Sequence, residues 1–296
     1  MVVDRNYSFK IELMKTKIFL MIASLAILSF SSCTKQPAID QSSLDLADDD
    51  AVTETVFDDV FNSVDNAEQI LGDFQKGVAV KSSEVSDSCP VVTIDHPTDA
   101  VWPKTITINY GTLCTGYYDN TRSGKIIITV SGPRMQKGSK KTVTFDNYYF
   151  NGIKVEGTKV LENMGYNDNQ NLVISATLTG GKLTLPNGKT IERSFAHERE
   201  WTAGLLTRNI WDDECLITGT AAGVNINGVA YTNTITTALH WKRVCKFFVS
   251  GVIKIERAGK DPVDLNFGTG ECDAKATVTM NGETKEILLR FKHRNQ

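Results

Sequence analysis

Four Asn-Gly pairs constrain the fold of this 296-residue chain more than any other feature. They lie between segments in which apolar and polar residues alternate, at Asn151-Gly152, Asn187-Gly188, Asn227-Gly228 and Asn281-Gly282. Asn and Gly tolerate the positive φ angles of the type I′ turns that join antiparallel strands. The pattern therefore predicts an antiparallel, hairpin-rich all-β body over residues 80–296. It leaves open a sandwich, a barrel or a wide curved sheet.

One helix is predicted before this body. Apolar residues from Val56 to Leu71 recur at intervals of three and four, with acidic residues on the opposite face. That periodicity is typical of an amphipathic α-helix, here over residues 51–76. We expect it to pack against the sheet, because its acidic face does not suit an anionic membrane surface. Residues 33–50, which include Asp48-Asp49-Asp50, are predicted to form a polar, acidic tether.

The amino terminus has the pattern of a secretory signal peptide over residues 1–32. The apolar run from Ile18 to Phe30 follows Lys15 and Lys17. As a helix it would be about 20 Å long, which is too short to cross a hydrocarbon core of about 30 Å. Met14 is an alternative start, and the sequence does not decide between it and Met1.

The end of the apolar run resembles the lipobox of bacterial lipoproteins. In Phe30-Ser31-Ser32-Cys33 an apolar residue and two small residues precede a cysteine. The resemblance implies that the preceding peptide is removed and that Cys33 is lipidated. Two or three acyl chains anchor a protein stably, at about 0.8 kcal/mol per buried methylene. The expected partner of the amino terminus is therefore a membrane, through a lipid anchor.

The chain as a whole resembles the uncharacterised β-rich outer-membrane lipoproteins of Bacteroidota. That resemblance implies an outer-membrane location. Surface-exported members often carry acidic residues directly after the lipidated cysteine, whereas Thr34-Lys35-Gln36-Pro37 follows here. The periplasmic face and the cell surface therefore both stay open.

Five of the six cysteines follow Cys33, and in an exported protein they are expected to form disulfides. A hairpin returns its second strand to the start of the first, which predicts the pairs Cys89–Cys114 and Cys245–Cys272. Cys215 is predicted to be buried and free. The two cysteine-bounded segments share an order of strand, proline-containing turn, strand and Asn-aromatic-Gly-Thr, so the body is predicted to contain two related β modules.

Composition and motifs argue against several functions. Lys and Arg total 32 against 35 Asp and Glu, and no arginine-rich stretch suggests nucleic-acid binding. The cysteines show no C-x-x-C spacing, and no cofactor or metal is predicted. Asp212-Asp213-Glu214 lacks the spacing of a calcium loop, so a solvated turn is favoured. The alternation in His197-Glu198-Arg199-Glu200 places its two glutamates on one strand face, where they offer a weak pair for glycoside hydrolysis.

Tryptophans near predicted strand ends are candidates for a ligand platform, although burial in the core is favoured. They are Trp102, Trp201, Trp211 and Trp241. The leading hypothesis is a non-catalytic lipoprotein with a structural role or a ligand-binding role towards a glycan or a protein. The alternative is a secreted glycan hydrolase that uses carboxylates of the β body.

Overall fold

The computed structural model of the chain describes residues 38–76, 89–207 and 209–289. The predicted signal peptide and the predicted lipidation site Cys33 lie outside these ranges, so both stay predictions. Within the described ranges, no helix combines the length and the apolar character needed to cross a bilayer.

A long helix, α1, spans Gln41–Gln75 and extends for about 50 Å at 1.5 Å per residue. Asp40 caps its start, because the carboxylate Oδ1 accepts a hydrogen bond of 2.8 Å from the Ser43 amide. The cap places the start of the helix well before Ala51, where the periodicity predicted it.

The prediction of a solvated tether up to residue 50 is therefore wrong for residues 41–50. Asp49 and Asp50 are buried. The Ile226 amide donates to Asp49 at 3.1 Å, and the Arg193 guanidinium and the Asn233 amide donate to Asp50. These partners come from distant strands, so the acidic run looks solvated when the sequence is considered alone.

The rest of the described chain forms one antiparallel sheet of fourteen strands. The strands are β1 Val91–Ile94, β2 Lys104–Asn109, β3 Cys114–Thr115, β4 Thr121–Val130, β5 Lys140–Phe150, β6 Ile153–Tyr166, β7 Leu172–Thr184, β8 Thr190–Ala203, β9 Glu214–Val224, β10 Ala230–Lys242, β11 Ser250–Glu256, β12 Val263–Thr269, β13 Lys275–Met280 and β14 Glu283–Leu288. Neighbours in the sheet are neighbours in sequence, except that β2 pairs with β4 and the short β3 pairs only with β4. The all-β prediction with one preceding helix is confirmed. Over the described residues the sheet does not close, which selects the wide curved sheet among the three architectures left open.

The Asn-Gly pairs lie in hairpin turns, as predicted. Asn151-Gly152 and Asn281-Gly282 have positive φ at both residues, as a type I′ turn requires. In the other two pairs only Gly188 and Gly228 have positive φ, and each closes a longer turn. The Asn-Gly pairs therefore predicted the positions of four hairpin connections correctly.

The inner face of the sheet contacts α1 near both ends of the helix. At the amino-terminal end Lys285 of β14 donates to the Ile39 carbonyl at 2.9 Å, and towards the other end Lys141 of β5 lies 2.7 Å from Glu68. The apolar residues of α1 pack against inward-facing aliphatic and aromatic residues of the strands. Phe57, for example, is 1% exposed and meets Phe195 edge to face. The helix is therefore the centre of the hydrophobic core.

The acidic face of α1 is also buried, against basic residues of the inner sheet face. Arg193 bonds to Asp50 and Glu54, and Arg199 bonds to Asp58. Burial acts to lower the pKa of Arg193, but attraction to Asp50 and Glu54 outweighs it and holds that pKa well above its usual value. The arginine therefore stays charged, and breaking the pair would leave carboxylates buried without a partner.

The cysteines lie as predicted. Cys89 and Cys114 are at disulfide distance, with Cα atoms 5.6 Å apart, and Cys245 and Cys272 likewise, at 5.2 Å. Cys215 on β9 is buried and free. Each pair closes a hairpin, β1–β2 in one case and β11–β12 in the other, while descent of the two hairpins from one repeated module stays a prediction.

Candidate functional site

A cleft of about 870 Å³ opens between the carboxyl-terminal half of α1 and parts of the sheet that are distant in sequence. Its volume is within the range of about 300–1,000 Å³ typical of small-molecule sites. The helix side is rich in carboxamides and carboxylates, and the other walls bring arginines and aromatic rings. The polar and aromatic lining residues are Asp59, Asn62, Ser63, Asn66, Gln69, Asp73, Tyr110, Tyr118, Asn120, Arg122, Trp211 and Arg243.

The wall formed by β2, β3 and β4 is held to the helix by an ion pair. Arg122 donates through Nε to Asp59 at 2.9 Å and through Nη2 to the same carboxylate. Its guanidinium also packs against Gly116, where an added Cβ would lie 2.6 Å from Nη1. Tyr110 donates to the Ser63 hydroxyl at 2.9 Å, and burial, with repulsion from Asp59, raises its pKa to about 12. Both groups are therefore fixed in position and in protonation state.

Arg243 forms the opposite wall, directly after β10. It donates to the Asn66 side chain and lies 3.6 Å from Asp65 and 3.9 Å from Asp213, which is too long for hydrogen bonds to either carboxylate. Although the residue is only 6% exposed, its Nη1 has no hydrogen-bond partner among the described residues. The buried Oδ1 of Asn62, on the helix side of the cleft, also has none. Ten buried polar side-chain atoms of the described residues lack a partner, so these two do not by themselves set the cleft apart.

Tyr118 spans the cleft at its mouth. Its hydroxyl donates to the Val244 carbonyl at 2.6 Å, which connects the β3–β4 loop to the chain that follows β10. Tyr118 and Asp119 both have positive φ, an uncommon conformation for residues other than glycine. Such conformations concentrate at binding sites, where the surrounding structure holds them.

The four tryptophans do not form one platform, which corrects that prediction. Trp201 and Trp241 are each 3% exposed and belong to the core, where Trp201 packs on Phe61 with ring centroids 6.0 Å apart. Trp102 is half-buried and lies under the Lys104 ammonium, away from the cleft. Only Trp211 lines the cleft. It lies in a 3₁₀ turn within the β8–β9 loop, and the Asn209 side chain accepts from its amide.

The glutamates of β8 do not point into the cleft. Glu198 is exposed on the outer face of the sheet, since the inner positions are taken by its neighbours His197 and Arg199. Glu200 accepts hydrogen bonds of 2.8 Å from Asn167 and Asn171, which lower its pKa. Glu200 therefore secures the turn between β6 and β7.

The three acidic residues Asp212-Asp213-Glu214, just before and at the start of β9, do not form one site, because each has different surroundings. Asp212 is exposed, and Glu214 bonds to His240 at 2.7 Å. Asp213 is buried, so the expectation of a wholly solvated turn is wrong for this residue. Burial, with repulsion from Asp65, raises the pKa of Asp213 to about 6. Within the part of the chain that the structure describes, no group of three or more His, Cys, Asp or Glu side chains has the geometry of a metal site.

Comparisons with protein families, with curated proteins and with solved structures find no match for this chain. The cleft residues Asn62, Arg122 and Arg243 were missed at the level of sequence because they come from three distant stretches. Gly116 and the Asp59 carboxylate carry no motif that would have revealed them.

Proposed function

We propose that the protein is a non-catalytic binding protein, held at the outer membrane by lipid on Cys33, which captures a small ligand in the cleft beside α1. The observation that carries the binding role is the cleft itself. It has the volume of a ligand site and is lined by polar side chains that neighbouring residues hold in position.

The binding role is tested by filling the cleft. Ile70 lines it from the half-exposed side of α1, and Ile70→Trp adds bulk there without removing a polar contact. Ile127→Trp is the matched control, because Ile127 lies on the outer face of β4. A thermal-shift screen with a broad small-molecule library is expected to find ligands that raise the midpoint of the wild type and of Ile127→Trp but not of Ile70→Trp. No ligand for the wild type, or equal shifts in all three proteins, contradicts the proposal.

The lipid anchor is supported by the lipobox-like Phe30-Ser31-Ser32-Cys33 alone. Cys33→Ala is expected to leave a product that takes up no radiolabelled palmitate and is not found as a mature-sized lipidated form in the membrane fraction. Palmitate incorporation by the variant at the wild-type level would contradict the assignment.

The competing hypothesis is a glycan hydrolase. It is less well supported, because acid–base catalysis needs two carboxyl groups within reach of one substrate, whereas Glu198, Glu200 and Glu214 are each engaged or directed elsewhere. A turnover of any glycan that falls more than about a hundredfold in Glu200→Gln or Asp213→Asn, with an unchanged thermal midpoint, would favour the hydrolase.

A further inference from the structure

We propose that the ligand of the cleft is an uncharged saccharide, an inference that rests on the proposed binding role. The first argument is charge. The Arg122 guanidinium is neutralised by Asp59, and that of Arg243 faces both Asp65 and Asp213. Neither cation is available to attract an anionic ligand, and Asp73 adds a negative charge on the helix side. The balance disfavours phosphate, sulfate and carboxylate groups.

The second argument is the set of hydrogen-bonding groups on α1. Asn62, Asn66 and Gln69 follow one another at four and three residues, so they line one face of the helix. Asn66 accepts from Arg243 through Oδ1, and Gln69 donates to Asp65 through Nε2 at 3.1 Å. The Asn66 Nδ2 donor and the Gln69 Oε1 acceptor are not used in these bonds, and Asn62 adds a third carboxamide to the lining of the cleft.

A row of carboxamides, each with both a donor and an acceptor group, matches hydroxyl groups, because each hydroxyl also donates and accepts. Aliphatic or purely apolar ligands would leave these amides unpaired in a partly desolvated site, at about 1–3 kcal/mol for each group. The helix side of the cleft therefore selects a ligand with several adjacent hydroxyls.

The third argument is the aromatic rings of the cleft. Trp211 and Tyr118 both contribute to its lining. A pyranose ring has hydroxyls at its edge and a face of C–H groups that packs on an aromatic plane. The combination of an amide row and aromatic rings fits such a two-sided ligand better than it fits a linear polyol, which has no rigid apolar face.

The test is calorimetric titration of the wild type with uncharged oligosaccharides of several linkages, with oligogalacturonates as charged counterparts, and with mixtures of amino acids and of nucleosides. We expect saturable binding of at least one uncharged oligosaccharide. Trp211→Ala and Asn62→Leu are each expected to weaken it at least tenfold, while Trp211→Phe, which keeps an aromatic face, stays within about threefold. Trp102→Ala is the matched control, because Trp102 lies away from the cleft, and it is expected to bind like the wild type.

Binding only of charged oligosaccharides, or of amino acids or nucleosides, would overturn the ligand class and leave the binding role intact. Saccharide binding unchanged in both Trp211→Ala and Asn62→Leu would overturn the site. The absence of any ligand here and in the thermal-shift screen would overturn the binding role as well.

Discussion

The two halves of α1 meet the same sheet in different ways. In the amino-terminal half, Asp50, Glu54 and Asp58 are buried, and arginines of β8 bond to all three carboxylates. In the carboxyl-terminal half, the side chains of Asn62, Asn66 and Gln69 are half-buried and border the cleft. We call the amino-terminal half, whose carboxylates are buried against the sheet, the sealed half. We call the carboxyl-terminal half, which borders the cleft on one side, the open half.

The difference shows how a single helix serves both stability and binding. Ion pairs with Arg193 and Arg199 hold the buried carboxylates of the sealed half, and loss of either arginine would leave a buried carboxylate without its cation. Carboxamides in the open half keep hydrogen-bonding capacity for a ligand. We therefore expect substitutions in the sealed half to change the free energy of unfolding more than substitutions in the open half.

The largest effect is expected at Arg193. Arg193→Leu leaves Asp50 and Glu54 buried without their cation and should lower the free energy of unfolding by about 3–5 kcal/mol, measured by urea denaturation. Arg122→Leu at the cleft should cost less than half as much, because solvent in the cleft reaches Asp59. The triple variant Arg193→Leu, Asp50→Asn, Glu54→Gln should recover most of the loss. Equal losses for Arg193→Leu and Arg122→Leu would remove the distinction between the two halves.

A somewhat smaller effect is expected from the cysteine pair beside the cleft. Cys89 and Cys114 are 25 residues apart, and a bond across that loop stabilises by about 3–4 kcal/mol in the chain-entropy account. The Cys89→Ser, Cys114→Ser double variant should lose that amount and also bind ligand more weakly, because both residues line the cleft. The Cys245→Ser, Cys272→Ser double variant should lose similar stability with unchanged ligand affinity. Loss of affinity in both double variants would show that the effect is not local.

A pH-dependent effect is expected in the sealed half. Burial, with repulsion from Arg199, lowers the pKa of Lys159 from 10.5 to about 7. Between these values the unfolded chain binds one more proton than the folded chain, so stability rises with pH by about 1.4 kcal/mol per unit. From pH 7 to 8.5 this amine contributes a gain of about 1.5 kcal/mol, because it is still half-protonated in the folded chain at pH 7.

The control for that slope is Lys159→Met, which fills the same space without a charge. The stability of the variant should lack this contribution, so the wild type should gain about 1.5 kcal/mol of stability relative to the variant between pH 7 and 8.5. A difference that is constant from pH 7 to 8.5 would show that the amine keeps its ordinary pKa.

Features that depend on residues close in sequence could be predicted. Asn151-Gly152 and Asn281-Gly282 set hairpins through their own φ angles, and each cysteine pair is closed by one local hairpin. The alternation through His197 and Arg199 also predicted which side chains share a strand face.

Features that depend on distant residues could not be predicted. Asp50 looked solvated because its partner Arg193 lies 143 residues away. The cleft joins Asn62 to Arg243, a separation of 181 residues, and no local spacing encodes that approach. Trp201 was a partial exception, since burial in the core was favoured for the tryptophans and Trp201 is 3% exposed.

The central claim is that α1 is sealed in its first half and open in its second, and hydrogen exchange along the helix tests it most directly. Amides of residues 46–61 should exchange only through global unfolding, while those of residues 66–75 should exchange at least tenfold faster. Ile70→Trp, which fills the cleft, should slow the second segment at least threefold and leave the first unchanged. Equal protection of both segments in the wild type, or no response of residues 66–75 to the filled cleft, would contradict the account.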